Sequence, residues 1–390
     1  MEKRWLILFI LFFARMTMSF QFEAVAALSP LIVKTYGVNI ADIGLLIGLY
    51  LVPGVVVAIP AGAIASRFGD KRVIGLSMIL MLIGGAMIGW GPGWNWWVAG
   101  RVLSGIGGVV INIVMTKLLM DWFVGREIST AMGIFINSWP LGIALSLLTI
   151  PGLAAVGGLA LAWAAVLLVI ALGLLMFTAI YHPPPNAVAV AARINVSRLP
   201  YLALFLAAAV WALYNAALLV VFSFGPAFLT QRGWELTLAS SATSVFIIAT
   251  AIAVPIGGII ADRTGRRNTV IVASLLGYAL LLPFALVAPD GMVPVIFVGV
   301  GLIFGLGAGP IVTLPSMILK PEARAFGMGV YYSIYYALMM AAPTLGGAIA
   351  ERTGSVGATF IFAALMMVVA VVTLGLFRRV SAGAIAGSGP

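Results

Sequence analysis

Runs of about twenty apolar residues recur along the whole chain, and they constrain its fold more than any other feature. Charges, glycines and prolines delimit twelve such runs, at 5–34, 42–65, 72–91, 96–119, 127–150, 157–180, 199–228, 237–261, 268–288, 292–319, 323–350 and 356–378. A run of this length suits a helix crossing a hydrocarbon core ~30 Å thick, whereas barrel strands are only ~10 residues long and alternate in polarity. Charged residues make up 8% of the sequence, against about 25% in a soluble domain. The sequence therefore predicts an all-α integral membrane protein with twelve transmembrane helices.

The twelve spans are predicted to form two related halves of six. Gly62 and Gly258 begin similar stretches 196 residues apart, and Gly133 and Gly329 repeat that offset. Many transporters are built from such internal repeats. We expect a six-helix bundle over residues 1–180, a cytoplasmic linker over 181–198 with three consecutive prolines, a second bundle over 199–379 and a disordered tail over 380–390.

The basic residues predict the orientation of the chain in the membrane. With both termini in the cytoplasm, fifteen of the 21 lysines and arginines fall on the cytoplasmic side and three fall in outer loops. The other three, Arg15, Arg101 and Lys117, lie inside spans. Because cytoplasmic loops carry an excess of basic residues, this distribution predicts a multi-pass inner-membrane protein with cytoplasmic termini. The first run has no small-residue cleavage site and contains Arg15 and Glu23, so we expect a retained helix.

The composition argues against enzymes and nucleic-acid-binding proteins. The chain has no cysteine, and its one histidine, His182, lies beside three prolines, so thiol chemistry and histidine clusters are excluded. The net charge of +10 is dispersed between apolar runs and forms no basic domain. The spans also lack the paired carboxylates of many active sites. We expect no cofactor, no metal and no nucleic acid; the expected partners are the lipid bilayer, a small solute and protons, and the expected state is a monomer.

Two repeated loops carry the most specific motif in the chain. The second copy has Gly258, Asp262, Arg263, Gly265, Arg266 and Arg267 in the pattern Gly-x-x-x-Asp-Arg-x-Gly-Arg-Arg. This pattern resembles the signature of the major facilitator superfamily, and the resemblance extends over the whole twelve-span chain. The first copy departs from it, with Ser66 where the family has Asp and Asp70 where a basic residue is commoner. The resemblance implies two six-helix halves that rock around a central site near the membrane midplane.

In that family the loop is thought to brace one conformation. The resemblance therefore implies a conformational latch that comprises Ser66, Arg67, Asp70, Arg126, Asp262, Arg263 and Arg266. A carboxylate at a helix end can pair with cations and with the N-terminus of a neighbouring helix. Ser66 can cap a helix but has no charge, so we expect the latch of the first half to be the weaker one. The alternative is that these charges only orient the chain.

One face of the first span is polar, although the span must lie in the membrane. Spacings of three and four place Arg15, Ser19, Phe22 and Glu23 on this face. Arg15 lies about 15 Å into the span, where a lone charge costs ~3 kcal/mol or more and usually serves a pathway or a counter-ion. A guanidinium suits a carboxylate, so Arg15 is predicted to bind an anionic substrate; alternatively it pairs with Glu23 or with backbone carbonyls. Glu23 is predicted either to neutralise Arg15 or to carry a coupling proton.

Two further groups of residues are candidates for the same central space. Arg101 precedes a glycine-rich stretch in the fourth span, similar to an arginine motif that the superfamily associates with proton coupling; coupling, structural hydrogen bonding and substrate contact are all open for it. Asn112 shares its helical face. Other residues predicted to line the cavity are Tyr331, Tyr332, Tyr335 and Tyr336 of the eleventh span, Asn137 and Trp139 of the fifth, and Trp211, Tyr214 and Asn215 of the seventh. The alternative for the tyrosines is packing against lipid or other helices.

These patterns predict a secondary active transporter for a small organic or inorganic anion, driven by protons. A buried arginine, many hydroxyl and amide donors and a single intramembrane acid favour an anion over a cation. The Phe-Ala-Arg-Met around Arg15 is also similar to a motif early in the cyanate-type permeases of the superfamily. The main alternative is a proton-driven antiporter that exports a drug or metabolite. The Ala-Pro-x-x-Gly-Gly at Pro343 resembles the antiporter motif, but that motif belongs in helix five and this copy lies in helix eleven. A membrane receptor is a third, weaker alternative.

Overall fold

The computed structural model describes residues 3–123, 131, 134–182, 200–319 and 324–386. Eleven helical segments within these ranges are long and apolar enough to cross a membrane. One of them, Ile134–Ile180, has 47 residues, more than twice the ~20 that a crossing needs. Its backbone leaves the helical conformation at Gly157 and at Gly158, where φ is 67°, a conformation that glycine adopts without strain. The long segment thus makes two crossings, and the twelve-helix fold is confirmed.

The first half contains seven helices whose bounds lie within the described residues. They are α1 (Lys3–Ala27), α2 (Ser29–Tyr36), α3 (Ile40–Leu49), α4 (Val52–Phe68), α5 (Asp70–Trp90), α6 (Trp94–Phe123) and α7 (Ser138–Ile180). The first span consists of α1 and α2, and the second consists of α3 and α4. Both α2 and α4 begin with a proline in their first turn, Pro30 and Pro53, where the missing N–H has no intrahelical partner to lose.

The second half repeats this arrangement. Its helices are α8 (Tyr201–Gln231), α9 (Leu236–Thr264), α10 (Arg267–Leu281), α11 (Phe284–Val287), α12 (Val293–Val312), α13 (Arg324–Thr353) and α14 (Ala358–Ala386). Two short 3₁₀ turns, Asp290–Met292 and Leu314–Met317, flank α12. The predicted spans match these helices to within a few residues, except that α14 is longer.

The last helix, α14, extends into the stretch 380–390 that the sequence predicts to be disordered. It continues to Ala386, and residues 387–390 lie outside the described residues. Ala382, Ala384 and Ala386 favour helix in this stretch, and the Ser381 hydroxyl donates to the carbonyl of Arg378 in the preceding turn. Most of the predicted linker over 181–198 and the predicted start of the fifth span lie outside the described residues.

The two halves meet where α13 packs against α3 and α4, and where α9 packs against α7. Glycines bring the backbones together at the end of the bundle where α3 begins and α13 ends. A Cβ built on Gly347 of α13 would lie 2.8 Å from the Cα of Ala41 in α3, and one built on Gly44 would lie 3.2 Å from the Cα of Gly347. Side chains are missing on both sides of this contact, so the helices approach more closely than other residues would allow.

Candidate functional site

Arg15 is held at mid-height in α1 by hydrogen bonds to two other helices of the first half. Its Nε donates to Asn112 Oδ1 of α6 at 3.0 Å. Its Nη1 donates to Ser138 Oγ at 2.8 Å and to the carbonyls of Phe135 at 3.1 Å and Ile136 at 3.3 Å. The guanidinium also lies over the ring of Phe135, 4.9 Å from its centroid. Arg15 therefore has a fixed position on the wall of the first half.

The acceptors for Arg15 exist because the fifth span is irregular just before α7. In a regular helix the carbonyl of Ile136 would accept the N–H of residue 140, but Pro140 has no N–H. A turn at Asn137 interrupts the helix at this point. Ser138 Oγ in turn donates to the Phe135 carbonyl at 2.6 Å, which closes the network. The Trp-Pro pair of the fifth span thus supplies the carbonyl that a buried guanidinium needs.

One nitrogen of Arg15, Nη2, is left over on a side chain whose charge lies close to the second half. Among the described residues, no group accepts a hydrogen bond from Nη2, and the side chain is partly exposed. The phenols of Tyr332, Tyr335 and Tyr336 on α13 lie within electrostatic range of its charge. Tyr336 accepts a 2.9 Å hydrogen bond from Asn112 Nδ2, so one amide joins Arg15 to α13 across the two halves. A free N–H of a charged group beside phenols is suited to an oxyanion.

The four tyrosines of α13 divide into two pairs. Tyr332 and Tyr335 are partly exposed, and neither hydroxyl has a hydrogen-bond partner among the described residues. Tyr331 is fully buried with an unpartnered hydroxyl, and Tyr336 is 4% exposed and bonded to Asn112. Consequently Tyr332 and Tyr335 are the members of the cluster that can reach a ligand.

The residues predicted on α8 separate in the same way. Trp211 is partly exposed and stacks on Tyr335 of α13, with ring centroids 6.5 Å apart. Tyr214 is 1% exposed and donates to the Phe304 carbonyl of α12 at 2.6 Å, so it lies inside the wall of the second half. Asn215 is partly exposed, and its Nδ2 donates to the Trp211 carbonyl of its own helix at 2.8 Å. Its Oδ1 remains available as an acceptor.

On the side of the first half, Trp139 and Asn137 are the more accessible candidates. Both are partly exposed, although the Asn137 Oδ1 atom is buried and has no partner among the described residues. Phe22 is 1% exposed and packs against Trp139, with ring centroids 5.5 Å apart. Ser19 is fully buried and donates to the carbonyls of Met16 and Ser138. Ser19 therefore fastens α1 to α7 and is not exposed to the space between the halves.

Glu23, which directly follows Phe22 in α1, and Arg101 of α6 are both fully buried. Neither oxygen of Glu23 has a hydrogen-bond partner among the described residues, and no ion pair joins it to Arg15. Arg101 is the charged group that acts on it. Arg101 itself donates to the carbonyls of Leu46 at 3.0 Å, Phe22 at 3.2 Å and Gln21 at 3.4 Å. The Leu46 carbonyl is available because α3 ends at Leu49, and the N–H of the next residue turns to Gly48.

The sequence pattern of the Major Facilitator Superfamily matches residues 7–241 and residues 201–388, which together cover nearly the whole chain. The chain belongs to the Major Facilitator Superfamily. Over 396 residues it is 24% identical to the hexuronate transporter of Bacillus subtilis (strain 168), covering 94% of this chain and 92% of that protein. It is also 26% identical to the probable L-galactonate transporter of Escherichia coli (strain K12) over 137 residues, 35% of this chain and 30% of that protein.

Solved structures of the superfamily share the fold. A bacterial homologue of the human lysosomal transporter Spinster, in an inward-facing and occupied conformation, aligns with a TM-score of 0.76 at 18% identity, covering 98% of this chain and 96% of that chain. A D-xylose–proton symporter aligns with a TM-score of 0.75 at 12% identity, covering 93% and 97%. At these identities the likeness concerns the fold alone.

The superfamily loops are described only in part. Arg126 lies outside the described residues, and so do the side chains of Ser66 and Asp262. Arg67, Arg263 and Arg266 are exposed. Asp70 is bonded inside its own half: its two oxygens accept from Lys117 Nζ of α6 at 3.0 and 3.2 Å. Asp70, which departs from the superfamily pattern, thus pairs with Lys117, a basic residue inside a span.

Several residues of the site were not singled out from the sequence. Ser138 and the carbonyls before it hold Arg15, and the signal that could have found them is Pro140, which frees a carbonyl four residues earlier. Lys117 pairs with Asp70, and its position inside a span was the available signal. Tyr50 lies under Arg101 at 4.7 Å from the ring centroid, and nothing in its sequence context indicates that contact.

Proposed function

We propose that this protein is a secondary active transporter for small organic anions, with sugar acids as the first class to test. The observation that carries the proposal is Arg15, a charged group in the middle of a span. Its Nη2 has no partner among the described residues, and its charge lies within electrostatic range of partly exposed phenols of the opposite half. The names of the two relatives, a hexuronate and an L-galactonate transporter, support a monocarboxylate with several hydroxyl groups.

The chemistry around Arg15 fits such a substrate. A carboxylate would accept from Arg15 Nη2, while the hydroxyls of Tyr332 and Tyr335 would donate or accept at the sugar hydroxyls. Asn215 presents an amide oxygen without a partner among the described residues, and this oxygen suits a further hydroxyl donor. Trp211 offers a flat apolar surface to the carbon skeleton. The ligand would thereby touch both halves, as alternating access requires.

The proposed transport cycle follows from the contact between the halves. In this structure α3 and α13 touch backbone to backbone near Gly44 and Gly347. Rocking of the halves around the central site would open this end and close the other. The distribution of basic residues supports a location in the inner membrane with both termini in the cytoplasm, which makes the α3–α13 contact the outer gate.

Proton coupling through Glu23 is part of the proposal. A carboxylate held out of water without a donor is costly as an anion and much less costly as the neutral acid, which is the property that a proton carrier requires. Arg101, the nearby cation, is held by backbone carbonyls, and its interaction with Glu23 would change when Glu23 gains or loses a proton. We expect Glu23→Gln to retain substrate binding and to lose accumulation driven by a pH gradient in vesicles, whereas Glu351→Gln at the exposed end of α13 keeps both.

The binding step is tested by the melting temperature of the purified protein with D-glucuronate, D-galacturonate or L-galactonate, against D-glucose as the neutral control. The acids should raise it and glucose should not. Arg15→Gln should abolish the effect, because a hydrogen bond to a charged group is worth ~1.5–3 kcal/mol, or roughly 10- to 150-fold in Kd. Stabilisation by glucose equal to that by glucuronate would refute an anion site.

Two tyrosine variants form a matched pair for the same assay. Tyr332→Phe removes a hydroxyl that has no protein partner, so it should weaken the acid without lowering the stability of the empty protein. Tyr214→Phe removes the hydroxyl bonded to Phe304, so it should lower stability and leave the affinity unchanged. The reverse pattern would place the ligand elsewhere.

A further inference from the structure

A groove on the lipid-facing surface of the first half is separate from the space around Arg15. It has a volume of about 730 Å³ and runs between the first half of α5 and the last turns of α7. Its apolar walls include Gly75, Leu76 and Ile79 of α5 and Leu174, Leu175 and Thr178 of α7. Leu76 is 62% and Leu175 64% exposed, so no other part of the described chain covers them. In a membrane this groove faces the acyl chains of lipids.

One end of the groove is positively charged. Lys71 and Arg72, in the first turn of α5, line it there. Lys71 Nζ donates to the carbonyl of Tyr181 at 2.7 Å, which orients the ammonium group without neutralising it. Arg72 is exposed, and no described carboxylate pairs with either residue. The neighbouring carboxylate, Asp70, already binds Lys117 at 3.0 Å. Two cations that pair with no described carboxylate therefore lie at the polar end of an apolar groove.

The depth of the groove depends on a glycine. A Cβ built on Gly75 would have a single neighbour within 4 Å, the Cγ2 of Thr178 at 4.0 Å. Most other glycines inside these spans lie tightly against a neighbouring backbone or side chain, whereas Gly75 has only this one contact, at van der Waals distance. A larger side chain at this position would take up space in the groove, beginning beside Thr178.

We propose that the groove is a binding site for an anionic phospholipid. One acyl chain lies along Gly75, Leu76 and Ile79, and the phosphate and the anionic headgroup lie against Arg72 and Lys71. Charge complementarity favours an anionic lipid. A zwitterionic lipid fills the apolar part equally well, but the cation of its headgroup would lie beside the two basic side chains. The proposal does not depend on which solute is transported, because the residues that line the groove are different from those that contact Arg15.

The charge is tested by native mass spectrometry of the purified protein, titrated with dioleoyl phosphatidylglycerol or dioleoyl phosphatidylcholine. Phosphatidylglycerol should bind more tightly than phosphatidylcholine. Arg72→Gln should weaken phosphatidylglycerol about fivefold, the effect of one basic residue at an anionic membrane surface. Arg379→Gln, an exposed arginine at the end of α14, removes the same charge away from the groove and should change nothing. Equal affinity for the two lipids would overturn the proposal.

The apolar half of the site needs its own variant. Gly75→Leu should lower phosphatidylglycerol binding several-fold while the melting temperature of the lipid-free protein stays close to that of the parent. Gly375→Leu is the control, since Gly375 also lies three residues from an arginine in a transmembrane helix, and its Cβ would have no neighbour within 4 Å; Gly375 is exposed, whereas Gly75 is buried. Unchanged binding by Gly75→Leu would refute the groove. Competition by sn-glycerol 3-phosphate at the same concentration as the lipid would also refute it, because the acyl chain would then contribute nothing.

Discussion

The contact between α3 and α13 makes a quantitative prediction about the conformational equilibrium. Gly347 lies on α13 opposite Ala41 and Ile40 of α3, and a Cβ at this position would lie 2.8 Å from the Cα of Ala41 and 2.8 Å from the carbonyl oxygen of Ile40. Both neighbours are backbone atoms, which cannot rotate away. We therefore expect Gly347→Ala to disfavour the conformation in which this end of the bundle is closed.

The size of the effect follows from the overlap. Carbon atoms in contact are best placed ~3.5–4.0 Å apart, so the two halves must separate by about 1 Å to accept the methyl group. Overpacking of this kind costs ~1–3 kcal/mol. A penalty confined to the closed state shifts the ratio of closed to open molecules about 5- to 150-fold toward the open form. The gain in helix propensity from Gly to Ala, about 1 kcal/mol, applies to both states and does not affect the ratio.

The absence of cysteine from the sequence makes the measurement direct, since a single introduced thiol is the only one in the chain. Asn215→Cys places a thiol on α8 where the side chain is partly exposed between the halves. The rate of modification by a membrane-impermeant maleimide, applied from the side where α3 begins, reports how often that end opens. We expect the rate to rise at least fivefold in Gly347→Ala.

Gly346→Ala is the matched control, because it adds the same methyl group to the same helix. Its Cβ would meet the ring of Phe224 on α8 at 3.0 Å, a contact inside the second half that does not involve α3. The labelling rate should therefore stay near that of the parent. A Gly347→Ala protein that labels no faster than Gly346→Ala would show that this contact does not limit opening, and the argument from backbone proximity would fail.

Three smaller effects test other contacts. Arg15→Lys keeps the charge but removes Nη2, the nitrogen proposed to bind the carboxylate, so we expect the Kd for a sugar acid to rise about tenfold, the worth of one charge-assisted bond of ~1.5 kcal/mol, measured by ligand-dependent melting. Asp70→Asn breaks the ion pair with Lys117. The Asp70 side chain is 21% exposed and that of Lys117 is 44% exposed, so the loss of stability should not exceed ~1 kcal/mol. A double variant that exchanges the two charges should recover that stability. The N–H and hydroxyl of Thr237 lower the pKa of Glu235, at the start of α9, below its ordinary 4.5. The contribution of Glu235 to stability is therefore present above pH 4.5 and is lost as the pH falls through the lowered pKa. We expect the melting temperature of Glu235→Gln to depend less on acid pH than that of the parent.

The sequence predicted the fold well because the bilayer imposes strict rules on it. Each apolar run of about twenty residues has one stable conformation in hydrocarbon, so the spans could be delimited before any contact was known. The loop around Asp262 and its echo near Ser66 indicated the family and the two halves. The same reasoning placed Arg15 on a polar face of its helix, because a charge in the middle of a span needs a partner.

Side-chain partners were not predictable in the same way, since helical periodicity tells which residues share a face but not what that face meets. Tyr214 and Tyr332 look alike in the sequence, yet one is bonded to Phe304 inside the second half and the other is partly exposed near Arg15. Glu23 and Arg15 share a face of α1, but the guanidinium turns to Ser138 and no ion pair forms.

The sequence by itself determined that this chain is a twelve-helix membrane protein of two related halves with a charged residue in its interior. The physical reason is that hydrocarbon penalises every unpaired backbone group and every charge, so length and polarity alone decide what can span it. The tertiary structure decided which donor of Arg15 stays free, where Gly347 lets the halves touch and how Gly75 opens a groove beside two cations. Those features depend on how closely helices that are far apart in the sequence approach one another, and only the packed molecule sets that spacing.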